Sequence, residues 1–278
     1  VLPRHGHGPP EQVIGGRLFI EGMDRISARD VYTGRVLWKT VLGDLGTFDV
    51  YYDKTYSNTP TSTAYNQVHI PGANIRGTNF VATLDKVYIL QGPECHVLDA
   101  LTGEKLTTFH APKPRGDEPY EWGYIGVYEG TIVLGCWFIP FSDMPPKGDM
   151  DIREKKAYRE FWRFDKSASR YLIALDRHTG ERQWTLTARH GFLHNAVAIG
   201  NNTLFCLDKR PPFVENFFRR RGRGVPETYR LQAVDLETGR VKWKTDENVF
   251  GSWLGYSKDH GVLLQATRPS SDTVEGEA

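Results

Sequence analysis

The sequence is poor in groups that would crosslink the chain or give it a strong electrostatic field. Its three cysteines can form at most one disulfide in 278 residues, which excludes a disulfide-built scaffold. Its 35 Lys and Arg residues nearly balance its 34 Asp and Glu residues, so no overall field attracts nucleic acid. No apolar run reaches the roughly 18 residues of a membrane-spanning helix. The sequence therefore predicts neither a nucleic-acid partner nor a membrane span.

The sequence also lacks the short motifs of several enzyme and cofactor classes. It contains no His-Glu-x-x-His, no Gly-x-Ser-x-Gly, no phosphate-binding glycine loop and no Cys-x-x-Cys-His haem site. Cys136 and Cys206 lie at similar places in two apolar runs, which favours buried thiols over metal ligands. His5 and His7 could share a metal ion, but an N-terminal tail is the preferred interpretation. These absences favour a non-catalytic protein and leave an enzymatic role open.

One pattern, Asp-x-x-Thr-Gly, is present four times, at 30–34, 99–103, 176–180 and 235–239. The residues four positions after the glycines are Trp38, Thr107, Trp184 and Trp243. Each copy lies between two runs with β-branched and aromatic residues at period two, which is typical of strands. Asp can accept backbone N–H bonds in the turn, and Gly supplies a positive φ. Each copy thus predicts a β-hairpin whose tryptophan packs between neighbouring sheets, less tightly at Thr107.

A second strand pair precedes each hairpin, so every unit is predicted to be a four-stranded antiparallel meander. We expect one all-β domain over 1–278, a β-propeller of about four complete blades and half of a fifth that forms a partial ring. The predicted blades span approximately 10–40, 79–109, 123–187, 194–245 and 252–267. The predicted insertions are 41–78, 139–169 and 208–228.

The Asp-x-x-Thr-Gly hairpin followed by Trp resembles the pyrroloquinoline-quinone (PQQ) repeat of quinoprotein dehydrogenases and of outer-membrane assembly lipoproteins. Segments 4–22 and 72–80 are also similar to large PQQ-like propellers of environmental bacteria. The resemblance covers nearly the whole chain outside the insertions and implies a periplasmic or envelope location. Such relatives usually have eight blades, so the chain is expected to be part of a longer propeller. The alternatives are a small ring of four or five blades, or a partner that supplies the rest.

Up-and-down strands sort the connecting segments onto two faces. The short A–B and C–D turns share one face, and the B–C and D–A segments share the other. All four long segments fall on the second face: 41–78, 110–122, 139–169 and 208–228. Because function concentrates in loops on a rigid scaffold, we predict that this face binds a ligand or partner. The alternative is that the segments only cover it.

Two insertions carry distinctive patterns. Asp151 and Glu154 have the spacing of a capping box, and aromatic residues at 158, 161 and 162 lie at helical spacing, which predicts a short helix docked on the propeller. In the last insertion, four arginines predict a site for an anionic partner, with a solvated loop as the alternative. These arginines are Arg219, Arg220, Arg221 and Arg223.

The starts of the innermost strands form a predicted ligand ring on the same face. Its members are Arg76, Asn79, Glu121, Trp122, His194, Asn195, Ser252 and Trp253. Arg, Asn and a stacking Trp would suit a planar anionic quinone such as PQQ, and the alternative is that the ring binds only water.

The predicted function is a non-catalytic binding or scaffold module. The alternative is part of a PQQ- and calcium-dependent quinoprotein oxidoreductase that acts on alcohols or sugars. The resemblance implies that such an enzyme needs a calcium site with a catalytic Asp nearby, and no stretch matches that motif. The adjacent cysteine pair of many such alcohol dehydrogenases is also missing. We therefore assign no catalytic residue and no metal ligand.

Overall fold

The computed structural model describes residues 11–22, 24–45, 78–113, 121–140, 164–210, 215, 219, 222, 224–225 and 228–266. The regular elements of this part are antiparallel β-strands, which confirms the predicted all-β class. Within it, helical conformation is confined to Glu215 and Arg219. The helix predicted near 151–162 lies outside the described residues.

The first two sheets are four-stranded meanders in chain order. The first sheet consists of β1 (Gln12–Ile14), β2 (Arg17–Gly22), β3 (Arg25–Asp30) and β4 (Val36–Val41). The second consists of β5 (Phe80–Ala82), β6 (Lys86–Gln91), β7 (Glu94–Asp99) and β8 (Lys105–His110). In both sheets the two middle strands are the more buried ones, because a neighbouring sheet covers them.

The remaining strands form a seven-stranded sheet and a hairpin. The large sheet runs through β9 (Trp122–Tyr128), β10 (Thr131–Pro140), β11 (Phe164–Asp176), β12 (Arg182–Gly200), β13 (Thr203–Asp208), β14 (Arg230–Asp235) and β15 (Val241–Thr245). The hairpin pairs β16 (Trp253–Ser257) with β17 (Val262–Ala266).

The seven-stranded sheet departs from the separate third and fourth meanders expected from the sequence, because β12 runs through both. Residues 182–187 of β12 pair with β11, and residues 197–200 pair with β13. The Asp208 carboxylate accepts the backbone N–H groups of Arg189, His190 and Gly191 at 2.6, 2.8 and 3.0 Å. These bonds hold the link between the two parts extended. We call β9 to residue 187 the third sheet, and residue 197 to β15 the fourth.

The apolar core lies between successive sheets. Phe19, Ile26 and Trp38 of the first sheet pack against Phe80 and Leu98 of the second. Similar clusters join the second sheet to the third, the third to the fourth, and the fourth to the last hairpin. This face-to-face packing of consecutive meanders is the arrangement of propeller blades.

The first strands of successive sheets also contact one another, β1 with β5, β5 with β9, β9 with β12, and β12 with β16. The Gln12 side chain fastens the first of these contacts. Its amide nitrogen donates to the Phe80 carbonyl at 2.9 Å, and its amide oxygen accepts the Ala82 N–H at 2.8 Å. The first strands are therefore innermost, and the predicted partial propeller is confirmed.

All three cysteines are free and buried. Burial raises the pKa of the Cys136 and Cys206 thiols to about 12, so neither is a thiolate at neutral pH. Both lie on the second strand of their sheets, which agrees with the buried, unreactive thiols expected from the sequence.

Candidate binding face

The four Asp-x-x-Thr-Gly turns are built alike and connect the third and fourth strands of their sheets. In the second sheet, Asp99 Oδ1 accepts the N–H groups of Leu101 and Thr102, both at 2.8 Å. These bonds hold the pKa of Asp99 below its ordinary value of 3.8. The Gly103 N–H then donates to the Asp99 carbonyl at 2.9 Å and closes the turn. We call this turn the corner.

The corners of the second, third and fourth sheets are each covered by an aromatic ring of the preceding sheet. The Trp38 ring covers Gly103, and its Nε1–H donates to the Ala100 carbonyl at 3.1 Å. The Trp184 ring covers Gly239 in the same way and donates to the Leu236 carbonyl at 2.7 Å. Trp38 and Trp184 therefore pack between sheets as predicted.

Trp243 differs from this prediction, since 43% of its surface is exposed. It meets Phe205 at 6.1 Å between ring centroids, but no corner covers it in the described part of the chain. The last described element is a two-stranded hairpin without a corner, which is the physical reason for the exposure.

The junction between the second and third sheets uses different residues. Phe109, two positions after Thr107, covers the corner glycine Gly180. The hydrogen bond of the missing indole comes from Tyr88, whose hydroxyl donates to the Arg177 carbonyl at 3.2 Å. Burial raises the pKa of Tyr88 to about 12, so the hydroxyl keeps its proton. Two residues thus replace the tryptophan that is missing at position 107: Phe109 supplies the ring over the corner, and Tyr88 supplies the hydrogen-bond donor.

An ion pair strengthens the same junction. The Arg177 guanidinium binds both carboxylate oxygens of Asp85, at 3.0 and 3.2 Å. It joins the first turn of the second sheet to the corner of the third. Sequence reasoning missed this pair, because the two residues are 92 positions apart and Arg177 occupies a variable position of the repeated turn.

The face opposite the corners carries all the long connections. In each antiparallel meander the ends of the second and fourth strands lie at one edge, together with the starts of the first and third. The long connections leave and enter at that edge, after β4, β8, β10 and β13. Most of their residues lie outside the described part, but their points of attachment define one face, which we call the long-segment face.

The predicted ligand ring is mostly buried at this edge. Arg76 lies outside the described residues. Four members are buried: Asn79, Trp122, His194 and Ser252. Glu121 and Asn195 are half-buried, and Trp253 is exposed. Of the ring positions, His194 lies directly against Gly123 of β9, the residue after Trp122.

His194 bonds within the protein. Its Nε2 lies 2.8 Å from Ser169 Oγ, and both side chains are buried. Gly123 and Gly135 make room for the pair, since a Cβ at either position would lie within 2.8 Å of the Ser169 hydroxyl. A Ser–His pair closed off from solvent links β11 to β12 and has a structural role.

The described residues at these strand starts do not fit a PQQ–calcium pair. Trp122 is 1% exposed and packs in the core between the second and third sheets, so its ring face is not open to a quinone on the long-segment face. Among the described residues, no group of three or more His, Cys, Asp or Glu could hold a metal ion. No reaction step through this cofactor follows from these side chains.

The fourth sheet contributes a basic edge to the long-segment face. Counted with the link before the sheet, its described basic side chains are Arg189, Lys209, Arg210, Arg219, Arg230 and Lys244, and its acidic ones are Asp208, Glu215, Asp246 and Glu247. Arg230 binds both oxygens of Asp246 at 2.8 Å, and Arg189 lies 3.5 Å from the same carboxylate. The hydrogen bond from Arg230 keeps the pKa of Asp246 below its ordinary value.

Tyr229 anchors the arginine-rich insertion to this edge. Its hydroxyl donates to the Glu215 carboxylate, and Lys209 Nζ lies 5.2 Å from its ring centroid. Arg210 and Arg219 lie near enough to act electrostatically on the Tyr229 hydroxyl. Arg219 is exposed, whereas Arg220, Arg221 and Arg223 lie outside the described residues. Sequence reasoning missed Tyr229 and Glu215, although an acid and an aromatic residue flanking the arginines were a usable signal.

No helix in the described part is long and apolar enough to cross a membrane.

Comparison with known proteins extends the sequence resemblance. Residues 150–269 match the family model described as outer membrane protein assembly factor BamB. No curated protein matches the chain significantly.

Solved structures share the fold at low sequence identity. The quinohemoprotein alcohol dehydrogenase of Comamonas testosteroni superposes with a TM-score of 0.50 at 14% identity, over 86% of this chain and 35% of that one. The quinohemoprotein alcohol dehydrogenase of Pseudomonas putida HK5 gives a TM-score of 0.51 at 15% identity, over 86% and 34%. BamB of Moraxella catarrhalis gives 0.43 at 11% identity, over 86% and 51%.

The chain thus spans about a third of the two dehydrogenases and about half of the BamB chain. Together with the fourfold corner and the packing of the sheets, the two dehydrogenase structures show a β-propeller fold, and over residues 150–269 the chain is similar to PQQ-like repeat proteins.

Proposed function

We propose that this chain is a non-catalytic binding or scaffold module whose long-segment face takes an acidic protein partner. The observation that supports the proposal is that the short and the long connections between strands lie on opposite faces. The corners of one face are short and bonded to the neighbouring sheet, whereas the opposite edge carries every long segment. A rigid scaffold that presents variable segments on one face is the usual arrangement of a binding protein.

The charge of the fourth sheet supports the acidic character of the partner. Of the basic side chains at that edge, Arg189 and Arg230 share the single carboxylate of Asp246. Arg219 is exposed beside them, and three further arginines follow in the sequence. Arginine forks bind carboxylates in two-point geometry, which suits the acidic side chains of a protein.

The family description supports a location in the cell envelope and a protein partner, since the matching model is that of an outer membrane protein assembly factor. We propose the periplasm or the envelope for this chain on that ground.

The test compares two variants of equal charge change. In the first, Arg219, Arg220, Arg221 and Arg223 are replaced by Ser. In the second, four exposed basic residues at or beside the corners are replaced by Ser: Arg35, Lys39, Lys105 and Arg240. Crosslinking to envelope proteins, followed by binding measurements with the purified partner, is expected to show at least a tenfold loss for the first variant only.

If binding weakens equally in both variants, the loss of affinity comes from the change in net charge and not from the arginine-rich insertion. Binding that is unchanged in the first variant would remove the arginine-rich insertion from the site. Either result contradicts the proposal for this edge of the face.

The alternative function, part of a quinoprotein oxidoreductase, has its own test. The chain is incubated with PQQ and calcium, desalted, and assayed for dye reduction with alcohols and sugars. We expect the absorbance to return to that of the untreated protein, with no turnover. Retained quinone absorbance together with substrate-dependent dye reduction would favour the oxidoreductase over the binding module.

A further inference from the structure

A groove of about 470 Å³ opens between the second and third sheets. Its walls come from β8 and the residues just after it, the first residue of β9, β11, the corner of the third sheet and the start of β12. The volume lies within the range of small-molecule sites, and the groove follows the junction between the two sheets.

The groove lies at the one described junction whose preceding strand has lost its tryptophan. At the first and third junctions an indole covers the corner and fills the space beside it. At the second junction Thr107 replaces the indole, and the smaller ring of Phe109 reaches Gly180 from two residues further along β8. Space that an indole occupies elsewhere is open here.

A buried donor without a partner borders this space. Trp122 is 1% exposed, and its indole N–H has no hydrogen-bond partner among the described residues. By contrast, Trp38, Trp137 and Trp184 all donate their indole N–H to a backbone carbonyl. A buried donor left unpaired costs about 1–3 kcal/mol, so an acceptor that entered the groove would recover that loss.

The chemistry of the walls changes from the interior to the rim. Phe109, Ile173 and Leu175 are buried and apolar. His110 and Arg182 are exposed at the rim, where the Thr108 and Thr179 hydroxyls add polar groups. A guanidinium at the mouth of an apolar slot favours a carboxylate at the outer end of the ligand.

We propose that this groove binds a small molecule with three features. These are a flat apolar body between Phe109 and Leu175, an oxygen acceptor for the Trp122 N–H, and a carboxylate facing Arg182. The site is distinct from the proposed partner site at the arginine-rich edge, because none of its lining residues belongs to the fourth sheet or to the arginine-rich insertion.

Three probes separate these features. 4-Acetylbenzoate has all three, 4-ethylbenzoate lacks the acceptor, and 4-acetylbenzamide lacks the charge. Calorimetry on the whole chain is expected to rank 4-acetylbenzoate about five- to tenfold above each of the others, because one hydrogen bond or one charge contact is missing from each. In ¹H–¹⁵N spectra its binding is expected to move the Trp122 indole resonance downfield, and 4-ethylbenzoate is expected not to.

Two variants complete the test. Arg182→Gln is expected to weaken 4-acetylbenzoate about tenfold and to leave 4-acetylbenzamide unchanged. Arg240→Gln, at an exposed arginine beside the corner of the fourth sheet, is the matched control and is expected to bind as the native chain does. Trp122→Phe keeps an aromatic ring and is expected to remove the preference for 4-acetylbenzoate over 4-ethylbenzoate.

No binding of any probe at millimolar concentration would overturn the proposal. So would binding that leaves the Trp122 indole resonance unmoved, or equal affinities of the Arg182→Gln and Arg240→Gln variants. The wild-type spectra decide the question even if Trp122→Phe does not fold.

Discussion

At the scale of single residues, the corner glycines have the same backbone but different surroundings. Gly34 and Gly103 have φ values of +70° and +76°, a region that L-residues enter only with strain. A methyl group on Gly103 would lie 2.5 Å from Trp38 Cε3, whereas nothing lies within 4 Å of the same position on Gly34. Gly34 is therefore required only by the backbone conformation of its turn, whereas Gly103 is required both by that conformation and by the Trp38 ring packed against it.

This difference predicts unequal effects of the same substitution. Gly34→Ala is expected to lower the free energy of unfolding by about 1 kcal/mol through backbone strain. Gly103→Ala is expected to cost about 2–3 kcal/mol more, because the indole must move from its packed position. Urea denaturation of both variants measures the difference. Equal losses would mean that the ring of Trp38 is not seated on the corner in solution.

The residues that could be predicted from the sequence are those that repeat. Four copies of one turn showed the roles of Asp, Thr and Gly, because the same local bonds recur. The ion pair of Arg177 with Asp85 and the seat of Phe109 on Gly180 occur once, between strands that are distant in the sequence. Local spacing has no information about such contacts, so the candidate site was predicted less well than its scaffold.

At the scale of elements, β12 continues from the third sheet into the fourth without a loop, and one buried acid holds the segment between them. Asp208 is buried, and its carboxylate accepts three consecutive backbone N–H groups from the link between the third and fourth sheets. The hairpins around this link were predictable from their alternating pattern. Its extended course was not, because the bonds that hold it come from a residue about 20 positions further along.

We expect Asp208→Ala to lower the free energy of unfolding by about 2–4 kcal/mol, because three backbone amides, of which that of Gly191 is buried, would lose a charged acceptor. Hydrogen exchange of the amides of Arg189, His190 and Gly191 is expected to accelerate in this variant. Asp259→Ala, at an exposed aspartate in the turn before β17, is the control and is expected to change neither quantity. Unchanged exchange at all three amides would show that Asp208 does not hold the link.

At the scale of the whole molecule, the two ends of the described arc are unlike the junctions within it. Trp184 is 8% exposed over the corner of the next sheet, whereas Trp243, at the equivalent position, is 43% exposed. The order of the meanders followed from the fourfold repeat, although the third and fourth are joined in one seven-stranded sheet. The repeat did not predict which tryptophan is covered, because the cover comes from the sheet that follows it.

Trp184→Ala is expected to cost about 3–5 kcal/mol, the usual cost of emptying a packed aromatic site. Trp243→Ala is expected to cost less than half as much in the isolated chain, because much of its ring already faces water. Thermal and urea unfolding of the two variants provide the comparison. A loss for Trp243→Ala as large as that for Trp184→Ala would show that another part of the chain covers this ring.

The mixed construction of the second junction has a consequence for the order of the blades. Trp38 and Trp184 use the same indole contact and the same kind of carbonyl acceptor, so their corners are interchangeable in principle. Asp85, in contrast, needs a corner that carries the Arg177 side chain. If recombination placed the corner of another repeat after the second sheet, the Asp85 carboxylate would lose its cation. The second junction therefore restricts which repeat can follow the second sheet, whereas the tryptophan junctions do not.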